Sequence, residues 1–228
     1  MDVRNLPTTT AWRIGFQSAN LILERHLQDH GDHLRQLGLS VWGTATMRTG
    51  GDDIAQAMAL MGVRPVWATG SQRVDDFEIL PLSLLDRPRV DVTLRVSGFF
   101  RDAFANLIRL FAAVQAVAAL DEPEDMNPLA ARVRQEREQL QTDGLDAEQA
   151  ARQAGWRIFG AKPGAYGAGV GPGVVRPASE PGSGCVAEPG QPRARSARLQ
   201  RLLPVPGRHA GRCGKPQWRN RRQLSWRP

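Results

Sequence analysis

Cysteine is almost missing from this sequence. The chain has two, Cys185 and Cys213, and both fall in its last quarter. Residues 1–170 have none, which excludes a disulfide framework and a thiolate metal site there and fits a reducing cytoplasm. Long apolar runs are missing too. The longest, residues 110–120, is interrupted by Gln115 and is too short to cross a bilayer. No signal-peptide pattern opens the sequence, so neither secretion nor membrane association is expected. No GxxxxGK[ST] phosphate loop occurs anywhere. The glycine-rich stretch 160–169 around Tyr166, the single tyrosine, lacks that order, so any nucleotide hydrolysis is expected on another protein.

Acidic residues are scarce after residue 170. Residues 171–228 hold twelve Lys and Arg against Glu180 and Glu188, a net of +10. The whole chain carries +7, so residues 1–170 carry −3. The basic stretch shows neither a 3.6- nor a 2-residue period, and Pro and Gly interrupt it densely. Such a segment cannot offset about 1–2 kcal/mol of backbone entropy per residue by burial, so it is expected to be disordered. Charge alone suits a nucleic-acid-binding arm. Trp218, Trp226 and the apolar cluster 199–205 do not suit one, and no repeat is present. The stretch is therefore read as translated out of frame from a GC-rich gene, with no nucleic-acid partner expected. Residues 1–170 are long enough for one domain with its own core.

Along that part, Thr8–Thr10 can cap a first helix over residues 11–30, with Trp12, Phe16, Ala19, Leu23 and Leu27 on one face and Gly31 at its end. A strand is expected at 37–41, a loop at 44–53, and a helix at 52–61 closed by Gly62. Strands follow at 63–68, 77–82 and 90–96, the last rich in Val and Thr. A long helix is expected over 99–120, carrying Phe100, Phe104, Leu107, Ile108, Phe111, Val114 and Ala118 on its buried stripe. Two more are expected at 128–141 and 146–159. This alternation predicts an α/β fold, a mainly parallel sheet flanked by helices.

Two strand-to-helix junctions carry polar residues. The first holds Thr46, Arg48, Thr49, Gly50, Gly51, Asp52 and Asp53; the second holds Ser97, Gly98, Arg101 and Asp102. In an open α/β sheet ligands bind outside the carboxyl ends of strands, so parallel neighbouring strands would aim both junctions into one crevice. Arg48 and Arg101 can then grip carboxylates or amide oxygens, Ser97, Thr46 and Thr49 can donate hydrogen bonds, and the aspartates can accept protons or touch a hard cation. Plainer roles compete. Asp52 is the kind of residue that caps a helix. Arg101 and Asp102 can pair with each other, and Gly50-Gly51 can simply turn the chain. His26 and His30 have metal-ligand spacing, yet no Cys or rigid carboxylate completes a site, and a solvated helix end is expected.

Residues 11–169 resemble a segment of the large subunits of the cobaltochelatase and magnesium chelatase family. The matching blocks are 24–31, 39–44, 47–67 (MRTGGDDIAQAMALMGVRPVW), 87–104 (RPRVDVTLRVSGFFRDAF), 119–131 and 155–169. The wording VTLRVSGFFRDAF is similar to the cobalt branch. The resemblance implies a subunit that binds a tetrapyrrole and the divalent metal. It implies Co2+ as substrate, hydrogenobyrinic acid a,c-diamide as acceptor, and two smaller AAA+-type subunits that hydrolyse ATP. Its motif residues fall here on Arg48, Thr49, Gly50, Gly51, Asp52, Asp53, Gly62, Arg64, Pro65, Asp91, Ser97, Gly98, Arg101 and Asp102. None of these is identified as catalytic; Gly62, Arg64 and Pro65 are read as structural. Ala105, Ala112 and Ala113 depart from the pattern on the long helix, and the family pattern stops near Gly169. The chain is accordingly read as a slice of a much longer subunit, inactive alone. A magnesium-type subunit and a non-catalytic small-molecule binding module are the competing readings.

Overall fold

The computed structural model describes residues 2–110, 113–160 and 176–177. Phe111, Ala112, Tyr166, both cysteines, Trp218 and Trp226 lie outside the described residues, as does the basic stretch apart from Arg176–Pro177.

A short 3₁₀ turn, Val3–Asn5, precedes helix α1, Thr9–His30. Thr8 caps α1 by accepting from Ala11 N, and Gly31 ends it in the left-handed conformation. Strand β1, Gln36–Val41, leads into α2, Gly43–Thr49, and α3, Asp52–Met61. An antiparallel pair follows, β2 at Val63–Trp67 and β3 at Val74–Ile79, then a helical turn α4, Leu82–Leu85. Strand β4, Asp91–Val96, precedes α5, Gly98–Ala103; α6, Ala105–Leu110; and α7, Ala113–Ala118. The described chain ends with α8, Pro128–Thr142; α9, Ala147–Ala154; β5, Ile158–Gly160; and β6, Arg176–Pro177.

The main sheet has the order β1-β4-β5-β6. Its first three strands are parallel, and β6 is antiparallel to β5. The expected α/β architecture with a parallel sheet flanked by helices is thus observed. β4 sits between β1 and β5 and buries Asp91, Val92, Leu94 and Val96, as a strand covered on both faces does. Helix α3 is the central helix, with seven of its ten residues buried. It packs on α1 through small residues: a Cβ added at Gly15 would lie 2.6 Å from Gln56 N and 2.7 Å from Asp52 O. Backbone contact that close is available only to glycine.

Two arginines close the carboxyl end of α3. Arg87 donates to the carbonyls of Ala59 and Leu60, and Arg89 to those of Met61 and Gly62. Carbonyls at a helix end have few intrahelical donors; here Gly62 N reaches Ala59 O and Val90 N reaches Leu60 O, and the two guanidinium groups add further donors and complement the helix dipole. Burial lowers the Arg87 guanidinium to about 10, with neighbouring Arg89 acting in the same direction. Arg89 is 1% exposed and pairs with both oxygens of Glu122, at 2.7 and 2.8 Å.

Several expectations need correction. The segment 44–53 is not a loop: α2 occupies most of it, ended by left-handed Gly50. The strand expected at 77–82 lies earlier, and residues 82–85 turn helically. β2 and β3 form their own antiparallel sheet and do not join the parallel one. The helix expected over 99–120 is interrupted. Phe104 leaves the helical region (φ −122°, ψ 42°) while its ring stays buried 5.2 Å from that of Phe100. The helix expected over 146–159 stops at Ala154, and Ile158–Gly160 pairs with β4 instead.

Candidate functional site

β1 and β4 run in register, Val41 opposite Val96, so both junctions leave the same edge of the sheet. Ser97 joins them. Its N–H donates to Val41 O at 3.0 Å. Its Oγ accepts from Phe100 N, capping α5, and from Gly43 N at the start of α2, both at 3.2 Å. Ser97 is 5% exposed, so its oxygen serves two backbone donors inside the protein. Gly43 is required by the same contact: an added Cβ would sit 2.5 Å from Phe99 Cδ1 and 2.9 Å from Phe100 N. Gly98 is buried beside it.

Arg48 and Arg101 both lie in the last turns of these short helices, α2 and α5. Arg48 is exposed and makes no hydrogen bond or ion pair with the described residues. Arg101 forks onto Asp102, Nε to Oδ1 at 2.8 Å and Nη2 to Oδ2 at 3.0 Å. Arg101 is 12% exposed in this pair and Asp102 46%. Thr49 Oγ1 is buried and has no hydrogen-bond partner among the described residues.

Gly50 and Gly51 carry φ of 80° and 90°, the left-handed values that turn α2 into α3. Their backbone meets the chain's own amino-terminal segment: Thr8 N donates to Gly50 O, and a Cβ on Gly51 would lie 3.3 Å from Pro7 Cα. Gly51, not Asp52, occupies the cap position of α3, and no side chain caps that helix. Asp52 and Asp53 are its first two helical residues, where negative charge complements the dipole. Asp52 Oδ1 accepts from Asp53 N, and Asp53 accepts from Ile54 N and from Thr46 Oγ1, each at 2.9 Å. Burial pushes the Asp53 carboxyl above its ordinary value. The Thr46 and Ile54 hydrogen bonds pull against that, and neighbouring Asp52 adds to the rise. Thr46 Oγ1 also lies 3.0 Å from Trp42 O. A hydroxyl has one proton for these two acceptors, Asp53 Oδ2 and Trp42 O, and donates it to one of them at a time.

Three apolar side chains at this edge drew no functional attention in the sequence: Trp42, Met47 and Phe99, exposed at 46%, 42% and 37%. Only the burial of their neighbours distinguishes them, and that is invisible in a linear pattern. Arg87 and Arg89 were missed for a similar reason, since side-chain-to-carbonyl bonds over long separations leave no local signature.

The other motif residues lie elsewhere. Arg64 pairs with Glu78 across the β2–β3 hairpin, Pro65 lies opposite Phe77, and Gly62 ends α3. Asp91 stands at the opposite edge of the sheet, across from Gln36. It binds Arg157 Nε at 2.6 Å and lines an open cavity of about 430 Å³ with Arg35, Gln36, Glu124 and Arg132. Burial alone would lower Arg157, but Asp91 and Glu136 outweigh it and raise the guanidinium above its ordinary value. The sheet thus separates Asp91 from the two junctions. His26 and His30 stack with ring centroids 4.2 Å apart on the exposed end of α1. Among the described residues no group of three or more His, Cys, Asp or Glu is arranged to hold a metal ion, and no helix is long and apolar enough to cross a membrane.

Comparison with known proteins gives consistent matches. Residues 1–178 match the family described as CobN/Magnesium Chelatase. The chain is 84% identical over 171 residues to the aerobic cobaltochelatase subunit CobN of Pseudomonas aeruginosa, covering 75% of this chain and 14% of that protein. It is 36% identical over 172 residues to the chloroplastic magnesium-chelatase subunit ChlH of Oryza sativa subsp. japonica, covering 75% of this chain and 12% of the relative. Among solved structures, the catalytic subunit of cobaltochelatase from Mycobacterium tuberculosis superposes with a TM-score of 0.66 at 46% identity, over 72% of this chain and 14% of that one. The chain therefore spans about one seventh of the length of these cobalt-enzyme relatives.

Proposed function

The chain belongs to the CobN/magnesium chelatase family, and on that premise we propose that it is part of the large, tetrapyrrole- and metal-binding subunit of an ATP-dependent cobaltochelatase. The reaction is insertion of Co2+, as substrate, into hydrogenobyrinic acid a,c-diamide in cobalamin biosynthesis. The observation that carries the cobalt assignment is the much higher identity to the cobalt-enzyme subunit than to the magnesium one. ATP is hydrolysed by two smaller AAA+-type subunits in the cytoplasm. The functional segment is residues 1–170, and the basic stretch beyond the family match, which runs to residue 178, is a product of the wrong frame. Translation of the alternative frames from codon 170 onward tests this, and finding no family continuation in them would refute it.

Insertion requires water to leave the metal, two ring N–H protons to be removed, and the macrocycle to be held in shape. The adjoining junctions supply the holding. Arg48 grips a peripheral carboxylate or amide oxygen of the macrocycle, and Arg101 does so when it exchanges Asp102 for substrate. Thr49, Gly50, Gly51, Asp52, Asp53, Ser97 and Gly98 set the backbone that presents these groups. A charged hydrogen bond is worth about 1.5–3 kcal/mol, so removing one arginine should weaken binding roughly tenfold or more.

The test uses the full-length subunit containing this segment with Arg48→Ala, titrated with hydrogenobyrinic acid a,c-diamide. Unchanged affinity would remove Arg48 from the site. The 228-residue chain alone, supplied with Co2+, ATP and both partner subunits, is expected to give no turnover.

A further inference from the structure

Water-exposed tryptophan, methionine and phenylalanine at one end of a sheet call for an apolar occupant. Trp42, Met47 and Phe99 all stand at the edge where β1 and β4 end. Their placement follows from Gly43. Trp42 precedes it, Phe99 packs directly over its backbone, and Met47 lies one turn further along the same helix face. The two helix starts are fixed to each other through Ser97 Oγ, so the group is mounted on a rigid base. Beside Met47 stands Arg48, an exposed cation that pairs with none of the described residues.

We infer that Trp42, Met47 and Phe99 form a platform for the flat face of the tetrapyrrole, with Arg48 at its rim for a peripheral anionic or amide group. This rests on the tetrapyrrole-binding function proposed above and names the part of the site that takes the macrocycle's apolar face. Indole and phenyl rings stack on a conjugated plane, and a thioether adapts to its outline. A tetrapyrrole carrying carboxylate and amide arms combines a flat apolar body with a charged or polar edge. The platform and Arg48 offer the complementary pair. The competing occupant, another stretch of the same long subunit, would bury the rings but gives an arginine that pairs with none of the described residues no particular task at the rim.

The experiment titrates hydrogenobyrinic acid a,c-diamide into the full-length subunit as wild type, Trp42→Ala, Trp42→Phe, Phe99→Ala and, as a control far from the platform, Leu84→Ala. Leu84 is 68% exposed on α4. Expected are a tenfold or greater rise in Kd for Trp42→Ala, a severalfold rise for Phe99→Ala, less than threefold for Trp42→Phe, and none for Leu84→Ala. Trp42 fluorescence, isolated as the difference between wild type and Trp42→Phe, should be quenched on binding. Wild-type affinity in both alanine variants would overturn the platform and leave the parent function standing. Equal losses in Trp42→Phe and Trp42→Ala would also overturn it, because a retained ring would then not matter. No binding by the wild type would overturn the parent function and the platform together.

Discussion

Replacing Ser97 by alanine removes one oxygen and strands two backbone donors. The Phe100 N–H loses its cap, which costs about 1 kcal/mol in typical helices. The Gly43 N–H is left buried without a partner, which costs about 1–3 kcal/mol more. Water cannot readily replace the oxygen, since Ser97 is 5% exposed and Phe99 closes over Gly43. The combined loss is about 2–4 kcal/mol. With a urea slope of about 2 kcal/mol per molar, the unfolding midpoint should fall by about 1–2 M with the slope unchanged. Circular dichroism of the chain in urea measures this. A fall below about 0.3 M would refute the reasoning, because at least one of the two donors would then have another partner.

Asp53→Asn tests the buried carboxyl. Burial raises the folded value, so the folded protein holds this proton more tightly than the unfolded chain does. The group's stabilising contribution is therefore complete below the unfolded value and declines as pH rises through the folded one. The asparagine variant should be more stable than wild type at neutral pH, with the difference shrinking as the pH is lowered to the ordinary aspartate range. A variant less stable than wild type by the same amount at every pH would contradict this. Arg89→Met should destabilise by about 3–5 kcal/mol, because half-buried Glu122 loses its cation and keeps only the Asn127 amide, and the carbonyls of Met61, Gly62 and Leu80 lose a donor. Adding Glu122→Gln should restore part of that loss, and thermal unfolding of both variants provides the measurement.

A mainly parallel sheet was legible from the alternation of apolar runs with helical stretches, but the pairing of β1 with β4 was not, because nothing along either run names its neighbour. Ser97 reads from the sequence as a hydrogen-bond donor to a ligand; instead its oxygen accepts from Phe100 N, capping α5, and from Gly43 N. The bond to Gly43 was not legible because 54 residues separate the partners. Residues 44–49 read as a loop since three threonines, with Gly50 and Gly51 directly after them, outweighed a short helical spacing. The structure ends that turn with Gly50 in the left-handed region. The break at Phe104 was hidden because the apolar spacing through Phe100, Phe104, Leu107 and Ile108 continues across it, and no Gly or Pro marks the place. β5 was hidden by its brevity: three residues show no period. The exposure of Trp42 and Phe99 depends on what packs around them, which no pattern along the chain encodes.

The guanidinium clasp on the end of α3 has a consequence for how the domain opens. Its donors sit on the segment that feeds β4, while its acceptors sit on the helix, so neither element can loosen alone. Fraying of the helix tail would release several carbonyls and take from half-buried Arg87 and buried Arg89 their acceptors on the helix, and lifting the strand would do the same. The two elements should therefore open and close as one cooperative unit. The edge that bears the junctions is then anchored from behind by a lock located nowhere near it.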